Sequence, residues 1–424
     1  MKRACIVTMG CKVNRADSAR MAATLAAGGC ALVGEGDAPD VIVLNTCTVT
    51  GKSDAEVRQI LRRLHRASPA ARVVVAGCLP RAGAGLGDEF AGWCTLLTGP
   101  DNRGLLAAAG LSGAEGSDEF SAAPAVSYGD RVRPFLKVQD GCDSACAYCI
   151  VPRARGRARS APSDAVLAQA GALLDAGYRE LVLTGIHLGM YAKDRVEEDG
   201  LAALLERLAG LDGVRAGARV RLSSLEPLEV TPRLLAAVAR SPFVCRHFHV
   251  PLQSGSDEIL AAMNRPYGTA RYARVAADIK AALPDACVGA DLISGFPGET
   301  AAHHEETLAL VVRLPIDYLH VFSFSPRPGT AAAAMKGRPP AAEVSRRVRE
   351  LRALGEERRA RFHRSMDGRT LGAIVERPRP GGGFGALTDN YIRATVSGEG
   401  LKTGMLAAIV LGVDDEGRAT GRLA

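Results

Sequence analysis

The chain contains 424 residues, of which 47% are hydrophobic and 23% are charged, and its formal net charge is +7. This composition supplies enough apolar residues for ordinary globular cores, and the length predicts roughly three domains of about 150 residues each. No apolar run approaches the roughly 20 residues that a membrane-spanning helix needs, and eleven cysteines without a recognisable export signal argue against a disulfide framework. We therefore expect a cytoplasmic protein that does not associate with membranes and whose cysteines stay reduced.

The first hundred residues alternate between strand-like and helix-like runs. The strand-like runs are Ala4–Thr8, Val41–Leu44, Val73–Ala76 and Thr95–Thr98. Helical patterns cover Asp17–Ala27, followed by a capping Gly28-Gly29 pair, and Ser53–Arg66, which opens with a Ser53/Glu56 capping box. This alternation predicts a parallel sheet covered by helices, forming an N-terminal α/β domain over residues 1–111.

Three cysteines, Cys11, Cys47 and Cys78, each follow one of these strands. Because ligands bind at the carboxyl edge of open α/β sheets, this placement predicts three thiols that converge on a metal-cluster site. The alternative is that all three are buried structural cysteines, since free cysteine is often buried. We expect that simpler role for five other cysteines, which are Cys5, Cys30, Cys94, Cys245 and Cys287.

A second series of strands and helices is expected over residues 132–340, after a Gly-, Ser- and Ala-rich segment at 112–131 that we interpret as a linker. Its strand-like runs are Phe135–Val138, Leu181–Thr184, Val220–Ser223, His247–Val250, Val288–Ile293 and Tyr318–Phe322. Six such units predict a partial (β/α)6 barrel, because a complete barrel of eight units needs about 250 residues. Chemistry in these barrels takes place at the carboxyl ends of the strands.

A second cysteine trio, Cys142, Cys146 and Cys149, follows the first strand of this barrel with the spacing C-x3-C-x2-C. Three thiolates this close together can bind three irons of a [4Fe-4S] cluster and leave the fourth iron open to a substrate or cofactor. The alternatives are a zinc knuckle and chance clustering. Zinc usually takes four ligands, and no fourth Cys or His lies nearby in the sequence.

The last part of the chain contains an Arg-rich helical pattern followed by short strand-like runs. An Arg-rich helix is expected over residues 341–365, and short alternating runs over 366–424 predict a small β-barrel. These runs are Leu371–Glu376, Tyr391–Val396 and Leu406–Val413. Between Ala341 and Arg379, eleven arginines and six acidic residues give a local net charge of +5. This charge indicates either a solvated helix or a face that binds a polyanion.

The order of these features resembles the methylthiotransferase family of radical S-adenosylmethionine (SAM) enzymes over nearly the whole chain, and the tail resembles a TRAM domain, an RNA-binding β-barrel. The motifs most similar to the bacterial MtaB-type members are Gly10–Asn14, Asn45–Thr50, Leu183–Gly189 and Arg221–Pro227. Four further motifs fit the wider family, namely His249–Gly255, Gly295–Thr300, Ser323–Thr330 and Leu387–Arg393.

This resemblance implies two [4Fe-4S] clusters, one on each cysteine trio, and SAM as a cofactor. The barrel cluster would cleave SAM to a 5′-deoxyadenosyl radical, and the N-terminal cluster would carry sulfur. The product would be the 2-methylthio derivative of N6-threonylcarbamoyladenosine (t6A) beside the tRNA anticodon. Implied partners are tRNA, held at its anticodon loop, an external electron donor such as flavodoxin or ferredoxin, and a sulfur donor. We expect a monomer whose tail and Arg-rich helix hold tRNA as a separable module.

Residues at the barrel strand ends are candidates for SAM contacts, with turn glycines and capping hydroxyls as the simpler alternative. They are Tyr148, Gly185, Ser223, Ser224, Gln253, Asp291 and Gly295. Candidate substrate-binding arginines, which are otherwise surface arginines, are Arg153, Arg155, Arg157 and Arg327. We expect structural roles for His187, His303 and His304.

Three other functions compete with this hypothesis. A sister enzyme modifies isopentenyl-adenosine in tRNA, and a related family methylthiolates an aspartate of a ribosomal protein. The third possibility is an iron–sulfur protein that binds RNA without turnover. The intact C-x3-C-x2-C loop argues against the last, and the motifs favour t6A over the first two.

Overall fold

The computed structural model describes residues 1–83, 86–99, 102–113, 129, 131–195 and 200–424, so most of the predicted linker lies outside the described residues. The N-terminal part consists of β1 (Arg3–Thr8), α1 (Lys12–Ala27), β2 (Ala31–Leu32), β3 (Val41–Thr46), α2 (Gly51–Ala67), β4 (Arg72–Gly77), α3 (Cys78–Arg81), α4 (Asp88–Ala91), β5 (Cys94–Leu96) and α5 (Leu105–Ala108). Its five strands are parallel in the order β2-β1-β3-β4-β5. The predicted α/β domain is therefore confirmed as a fold.

The central strands form because their apolar runs are covered on both faces. All six residues of β3 are buried, and five of six in β4, as expected for a parallel sheet between two layers of helices. The start of α2 differs from the prediction. Thr50, not Ser53, is the N-cap, because the Thr50 hydroxyl accepts a hydrogen bond from the Ser53 amide.

The middle of the chain consists of β6 (Phe135–Lys137), β7 (Gln139–Asp140), α6 (Val151–Arg155), β8 (Arg159–Ser160), α7 (Ser163–Asp175), β9 (Glu180–Thr184), α8 (Gly200–Leu208), α9 (Asp212–Arg215), β10 (Arg219–Leu222), α10 (Pro232–Arg240), β11 (His247–His249), α11 (Asp257–Ala262), α12 (Thr269–Ala282), β12 (Cys287–Ser294), α13 (Ala301–Arg313), β13 (Tyr318–Ser323) and α14 (Ala331–Ala334). All six predicted barrel strands are present.

The barrel strands are parallel in two sheets, β10-β9-β6 and β11-β12-β13, which a bridge between Val220 and Val244 joins. No pairing between β6 and β13 closes the barrel among the described residues. Helix α1 lies beside this opening, where Ala16 packs with Phe135 and Val182. The partial barrel is therefore confirmed, and the N-terminal domain covers part of its open side.

Helix α15 (Ala341–Ser365) packs against the barrel. Val348 and Leu351 belong to the barrel core, and a Cβ on Gly355 would lie 3.0 Å from Leu319 of β13. Arg347 is buried against Glu299 at 2.9 Å. The helix is therefore part of the barrel wall.

Several arginines of α15 have partners within the protein. Arg346 pairs with Glu343 and Glu350, and Arg358 is buried with backbone carbonyls as its partners. Within the described part of the chain, Arg349 and Arg361 are the arginines of this helix without a hydrogen-bond or ion-pair partner. The binding of a polyanion by this helix stays a prediction.

The tail forms a closed five-stranded barrel with the order β14-β15-β16-β18-β17. Its strands are β14 (Thr370–Pro378), β15 (Phe384–Thr388), β16 (Arg393–Ser397), β17 (Leu406–Val413) and β18 (Ala419–Leu423). The sequence predicted three of them. Strands β15 and β18 are five residues long and each contains a glycine, which weakens the alternating apolar signal of a strand.

The tail closes the bottom of the large barrel, at the amino ends of its strands. Arg219 donates to the carbonyls of Gly372 and Leu387 at 2.8 and 2.9 Å. Arg221 donates in the same way to Thr388 and Asp389, at 2.9 and 3.0 Å. The tail is thus joined to the barrel by buried, charge-assisted hydrogen bonds.

An aromatic contact completes this junction. Tyr391 enters the bottom of the barrel with a φ of 72° and stacks on His247, with ring centroids 3.9 Å apart. The guanidinium of Arg221 lies 5.5 Å from the centre of the same ring, within the range of a cation–π contact. The backbone strain at Tyr391 is compensated by these contacts.

Replacing Glu180 by glutamine should destabilise the protein by about 3–5 kcal/mol, because it leaves two buried arginines without their anion. Glu180 is fully buried and contacts Arg219 at 2.5 Å and Arg221 at 2.8 Å. Burial alone would raise the pKa of Glu180, but the two arginines outweigh burial and lower this pKa to about 2. The stabilisation should therefore be complete above the ordinary glutamate pKa and be lost as the pH falls toward 2.

Denaturant unfolding of Glu180→Gln measures this effect. The matched control is Glu206→Gln, because Glu206 is half exposed and lies 3.9 Å from its arginine partners. A loss equal to that of the control would show that the buried charge cluster does not stabilise the barrel.

In the described parts of the chain, no helix is both long enough and apolar enough to cross a membrane.

Candidate active site

The thiols of Cys11, Cys47 and Cys78 meet at the carboxyl edge of the N-terminal sheet. Asn14 ties the surrounding loops together, since its amide nitrogen donates to the carbonyls of Met9 and Thr46 at 2.9 and 2.7 Å. The Asn14 side-chain oxygen lies 3.9 Å from the sulfur of Cys11 and 3.8 Å from that of Cys78. Two sulfurs that contact one oxygen atom belong to a single site.

A glycine allows Cys47 to approach the same site. Gly10 has a φ of +89°, and a Cβ at this position would lie 2.6 Å from the Cβ of Cys47 and 3.1 Å from its sulfur. Any other residue would therefore push the Cys11 and Cys47 loops apart. The structure thus brings all three predicted cysteines together, and none of them is in a disulfide.

The donor set of this site suits a metal cluster. Burial raises the pKa of Cys47 to about 11, and burial also raises the pKa of Cys11. Thiols with such pKa values ionise at neutral pH when a cation binds them. Three convergent sulfurs supply one ligand fewer than structural zinc usually takes, whereas three thiolates can hold three irons of a [4Fe-4S] cluster.

The second trio lies on the loop between β7 and α6, at the carboxyl end of the first barrel strand. Gly141 permits this loop, because it has a φ of +71° and a Cβ there would lie 1.9 Å from the carbonyl oxygen of Arg157. Burial raises the pKa of Cys149 to about 12, so this thiol also needs a cation to ionise. Three neighbouring sulfurs in a C-x3-C-x2-C loop fit the [4Fe-4S] group that the sequence predicted.

Two sulfurs of this trio have polar neighbours that the sequence did not predict as functional. The Cys142 sulfur lies 3.3 Å from His187 Nδ1, and the other ring nitrogen of His187 lies 2.6 Å from Glu229. Arg265 donates to the Cys146 sulfur at 3.0 Å and also contacts Glu226. His187 and Glu226 lie in quoted motifs, so a signal existed for them, whereas nothing singled out Arg265.

A cavity of about 240 Å³ adjoins the barrel cysteine loop at Cys149 and reaches Val49 and Thr50, which follow Cys47 in the chain. Its wall includes Tyr148 and Cys149 from the barrel loop, Gln253 after β11, Asp291 within β12, and Thr50 from the N-terminal domain. Most of the remaining wall is apolar, consisting of Val49, Ile150, Ile293, Phe322 and Phe324 among others. A mostly apolar wall with a few polar groups is typical of a site for a small organic ligand.

A polar cluster lies in the barrel beside this cavity. Asp291 Oδ1 lies 2.9 Å from His249 Nε2 and 3.3 Å from His320 Nδ1. Burial alone would raise the pKa of Asp291, but its hydrogen bonds to the two histidines outweigh burial and lower this pKa. The three side chains have the composition of a metal site. However, Lys12 interacts electrostatically with Asp291, and its positive charge opposes binding of a further cation there.

The remaining candidate SAM contacts lie outside this cavity. Gly185 follows β9 and packs on Gln139, where a Cβ would meet the side-chain oxygen at 2.9 Å. Ser223 and Ser224 follow β10, and the buried Ser223 hydroxyl has no hydrogen-bond partner among the described residues. For Gly295 the structure gives a packing reason instead, because a Cβ there would lie 2.6 Å from Val344 of α15.

Two of the four candidate substrate arginines are not available to a substrate. Arg155 is buried and binds Asp17 at 2.8 Å, and Arg327 is buried and donates to the Thr48 hydroxyl at 2.7 Å. Both join the N-terminal domain to the barrel, so the prediction that they bind substrate is wrong. Arg153 and Arg157 are exposed, and their proposed contact with substrate stays a prediction.

Family models match two parts of the chain. Residues 3–89 match the family described as uncharacterized protein family UPF0004, and residues 136–311 match the radical SAM superfamily. The first match contains Cys11, Cys47 and Cys78, and the second contains Cys142, Cys146 and Cys149. Each cysteine trio therefore lies in a region matched by a different family model.

Full-length relatives carry two substrate names. The threonylcarbamoyladenosine tRNA methylthiotransferase MtaB of Thermotoga maritima is 32% identical over 386 residues, covering 89% of this chain and 87% of the relative. The protein of that name in Aquifex aeolicus is 33% identical over 420 residues, covering 95% and 98%. The tRNA-2-methylthio-N(6)-dimethylallyladenosine synthase of Salinispora arenicola is 34% identical over 382 residues, covering 87% and 76%. Identity does not separate the two substrates.

Solved structures support the architecture. The radical SAM methyltransferase TsrM from Kitasatospora setae superposes with a TM-score of 0.57 at 15% identity, covering 78% of this chain and 75% of that chain. The cobalamin-dependent radical SAM enzyme OxsB superposes with a TM-score of 0.54 at 12% identity, covering 78% and 55%. At these identities the likeness shows a shared fold and does not indicate the reaction.

Proposed function

Because the chain belongs to the radical SAM methylthiotransferase family, we propose that it converts t6A beside the anticodon of tRNA into its 2-methylthio derivative. Family membership makes it an enzyme with two [4Fe-4S] clusters and SAM as cofactors. We assign one cluster to Cys11, Cys47 and Cys78 and the other to Cys142, Cys146 and Cys149. When bound, these groups supply the reducing electron, the sulfur and the methyl group for the reaction.

The protein's own contribution is positioning and exclusion of water. In this proposal, the cavity of about 240 Å³ beside the barrel cysteine loop receives a base that has left its stack in a single-stranded loop. Tyr148, Gln253 and Asp291 line it, which supports our proposal that they contact SAM or the base. We further propose that Gly185, Ser223 and Ser224 contact SAM. The buried Ser223 hydroxyl, which has no hydrogen-bond partner among the described residues, supports this proposal.

The observation that favours t6A over isopentenyl-adenosine is Lys12, from the Gly10–Asn14 motif. This lysine follows Cys11, is partly buried, and has no hydrogen-bond or ion-pair partner among the residues that the structure describes. Burial, together with the charges of Arg221 and Arg133, lowers its pKa to about 8. Asp291 acts on Lys12 electrostatically, but among the described residues no carboxylate forms an ion pair with it, so a negatively charged ligand would stabilise this ammonium. The threonyl carboxylate of t6A provides one, whereas an isopentenyl group has no charge.

Replacing Lys12 by glutamine should therefore weaken the reaction with t6A tRNA. A lost hydrogen bond between charged groups costs about 1.5–3 kcal/mol, which corresponds to about 10- to 100-fold in kcat/KM. Lys12→Arg should retain more activity than Lys12→Gln because it keeps the charge. The matched control is Lys52→Gln, which changes an exposed lysine of the same domain. Equal kcat/KM for Lys12→Gln and Lys52→Gln would show that Lys12 does not contribute to recognition of t6A.

A substrate comparison tests the proposed function. The purified enzyme would receive one tRNA bearing t6A, the same tRNA without the threonylcarbamoyl group, and a tRNA bearing isopentenyl-adenosine. We expect methylthiolation of the first alone. Equal activity on the isopentenyl substrate, or activity only on a ribosomal protein, would place the chain in a sister subfamily.

The proposal extends to the partners and the compartment. We expect a monomer that works in the cytoplasm, where an external donor such as flavodoxin or ferredoxin supplies electrons and a separate donor supplies sulfur. The exposed Arg153 and Arg157 border the barrel cysteine loop and are our candidates for contacts with tRNA phosphates. Eleven thiols with no disulfide in the structure support a reducing environment.

A further inference from the structure

Arg155 connects the two cysteine sites. It is the last residue of α6, the short helix that directly follows the Cys142–Cys149 loop. Its side chain reaches into the N-terminal domain, where its Nε donates to the Cys78 sulfur at 3.4 Å. Its side chain is only 1% exposed. One residue of the barrel loop therefore contacts a sulfur of the other site.

The remaining nitrogens of Arg155 fix its orientation. Nη1 donates to Asp17 at 2.8 Å and to Asp140 at 3.0 Å, and Nη2 donates to the side-chain oxygen of Asn14. Asp17 and Asp140 also share Lys137, at 2.8 and 2.6 Å. A planar guanidinium with several filled donor positions has little freedom to rotate, so the direction of its Nε–H toward the sulfur is set by the two carboxylates.

We propose that Arg155 is a positioning residue that holds the N-terminal cysteine site in a fixed orientation to the barrel site and raises the reduction potential of the cluster held there. Hydrogen bonds to ligand sulfurs stabilise the reduced, more negative state of an iron–sulfur cluster. This inference rests on the proposed assignment of Cys11, Cys47 and Cys78 as ligands. It goes beyond that assignment because a residue next to the barrel cysteine loop, Arg155, would set the reduction potential of the cluster in the other site.

The test uses the full-length Cys142→Ala/Cys146→Ala/Cys149→Ala protein, in which only the N-terminal cluster remains. Reconstitution should give about four irons per chain, and an EPR-monitored titration gives the midpoint potential of that cluster. Adding Arg155→Lys keeps a positive charge between Asp17 and Asp140, but a single ammonium cannot also reproduce the directed Nε–H bond. We expect a more negative midpoint than in the parent, with unchanged iron content.

Two further variants keep the test decisive. Arg240→Lys changes an arginine that is 68% exposed on the outside of the barrel, and it should leave the midpoint unchanged. Arg155→Gln combined with Asp17→Asn removes a buried charge together with its partner, and it should also lower the midpoint.

Each outcome has one meaning. A parent protein without iron would refute the assignment of the three N-terminal cysteines. A parent that holds about four irons and has the same midpoint in both Arg155 variants would refute the role of Arg155 alone. A midpoint that falls in the Arg155 variants but not in Arg240→Lys would establish it.

Discussion

Replacing Cys11, Cys47 and Cys78 together by alanine is expected to abolish methylthiolation while reductive cleavage of SAM continues. The reason is geometric, because these thiols belong to the N-terminal sheet edge, whereas Tyr148, Gln253 and Asp291 line the cavity from the barrel. The iron content should fall from about eight to about four per chain. Anaerobic iron analysis and quantification of 5′-deoxyadenosine measure both effects.

The same domain offers a matched control for this triple variant. Cys5, Cys30 and Cys94 lie away from the site, and the first two are buried in the domain core. Their joint replacement by alanine should keep about eight irons and methylthiolation activity. A folded Cys11/Cys47/Cys78 variant that has lost SAM cleavage, or one that still holds eight irons, would contradict the separation of the two sites.

Removing residues 366–424 is expected to destabilise the large barrel as well as to weaken tRNA binding. Sequence reasoning treated the tail as a separable module whose loss would leave both clusters and SAM cleavage intact. The structure revises this expectation, since Arg219 and Arg221 donate four hydrogen bonds to tail carbonyls. At about 1.5–3 kcal/mol for each bond to a charged group, the loss exceeds about 5 kcal/mol.

Thermal melting of the truncated chain, with SAM cleavage as a second readout, measures this loss. Tyr391→Ala provides a milder version, because it removes the stacking on His247 and leaves the carbonyl acceptors in place. Asp415→Ala, at an exposed turn of the tail barrel, serves as its control. A truncated protein with unchanged melting temperature and SAM cleavage would restore the idea of an independent tail.

The parts of the fold that the sequence predicted well are those with a strong local signal. The buried runs of β3 and β4 are apolar throughout, and each barrel strand lies between two helical patterns. Both cysteine sites were predicted because a strand end and a C-x3-C-x2-C loop constrain where thiols can lie. Strands β15 and β18 were missed because short, glycine-containing strands of a closed barrel lack such a pattern.

The errors concern contacts between distant parts of the chain. Arg155 and Arg327 look like surface arginines in the sequence, since nothing local shows that Asp17 and Asp54 lie opposite them. For the same reason, nothing in the sequence of α15 shows that Arg347 pairs inward with Glu299. Ion pairs between domains depend on how the domains pack, and the periodicity of apolar residues along the sequence carries no information about that packing.

The central claim is that this enzyme adds a methylthio group to t6A in tRNA. Nucleoside mass spectrometry of total tRNA from a strain lacking the protein tests it most directly. The claim predicts that 2-methylthio-t6A disappears, that t6A accumulates, and that the intact chain restores the product while the Cys142→Ala/Cys146→Ala/Cys149→Ala chain does not. Unchanged 2-methylthio-t6A together with loss of a methylthiolated isopentenyl-adenosine would contradict it.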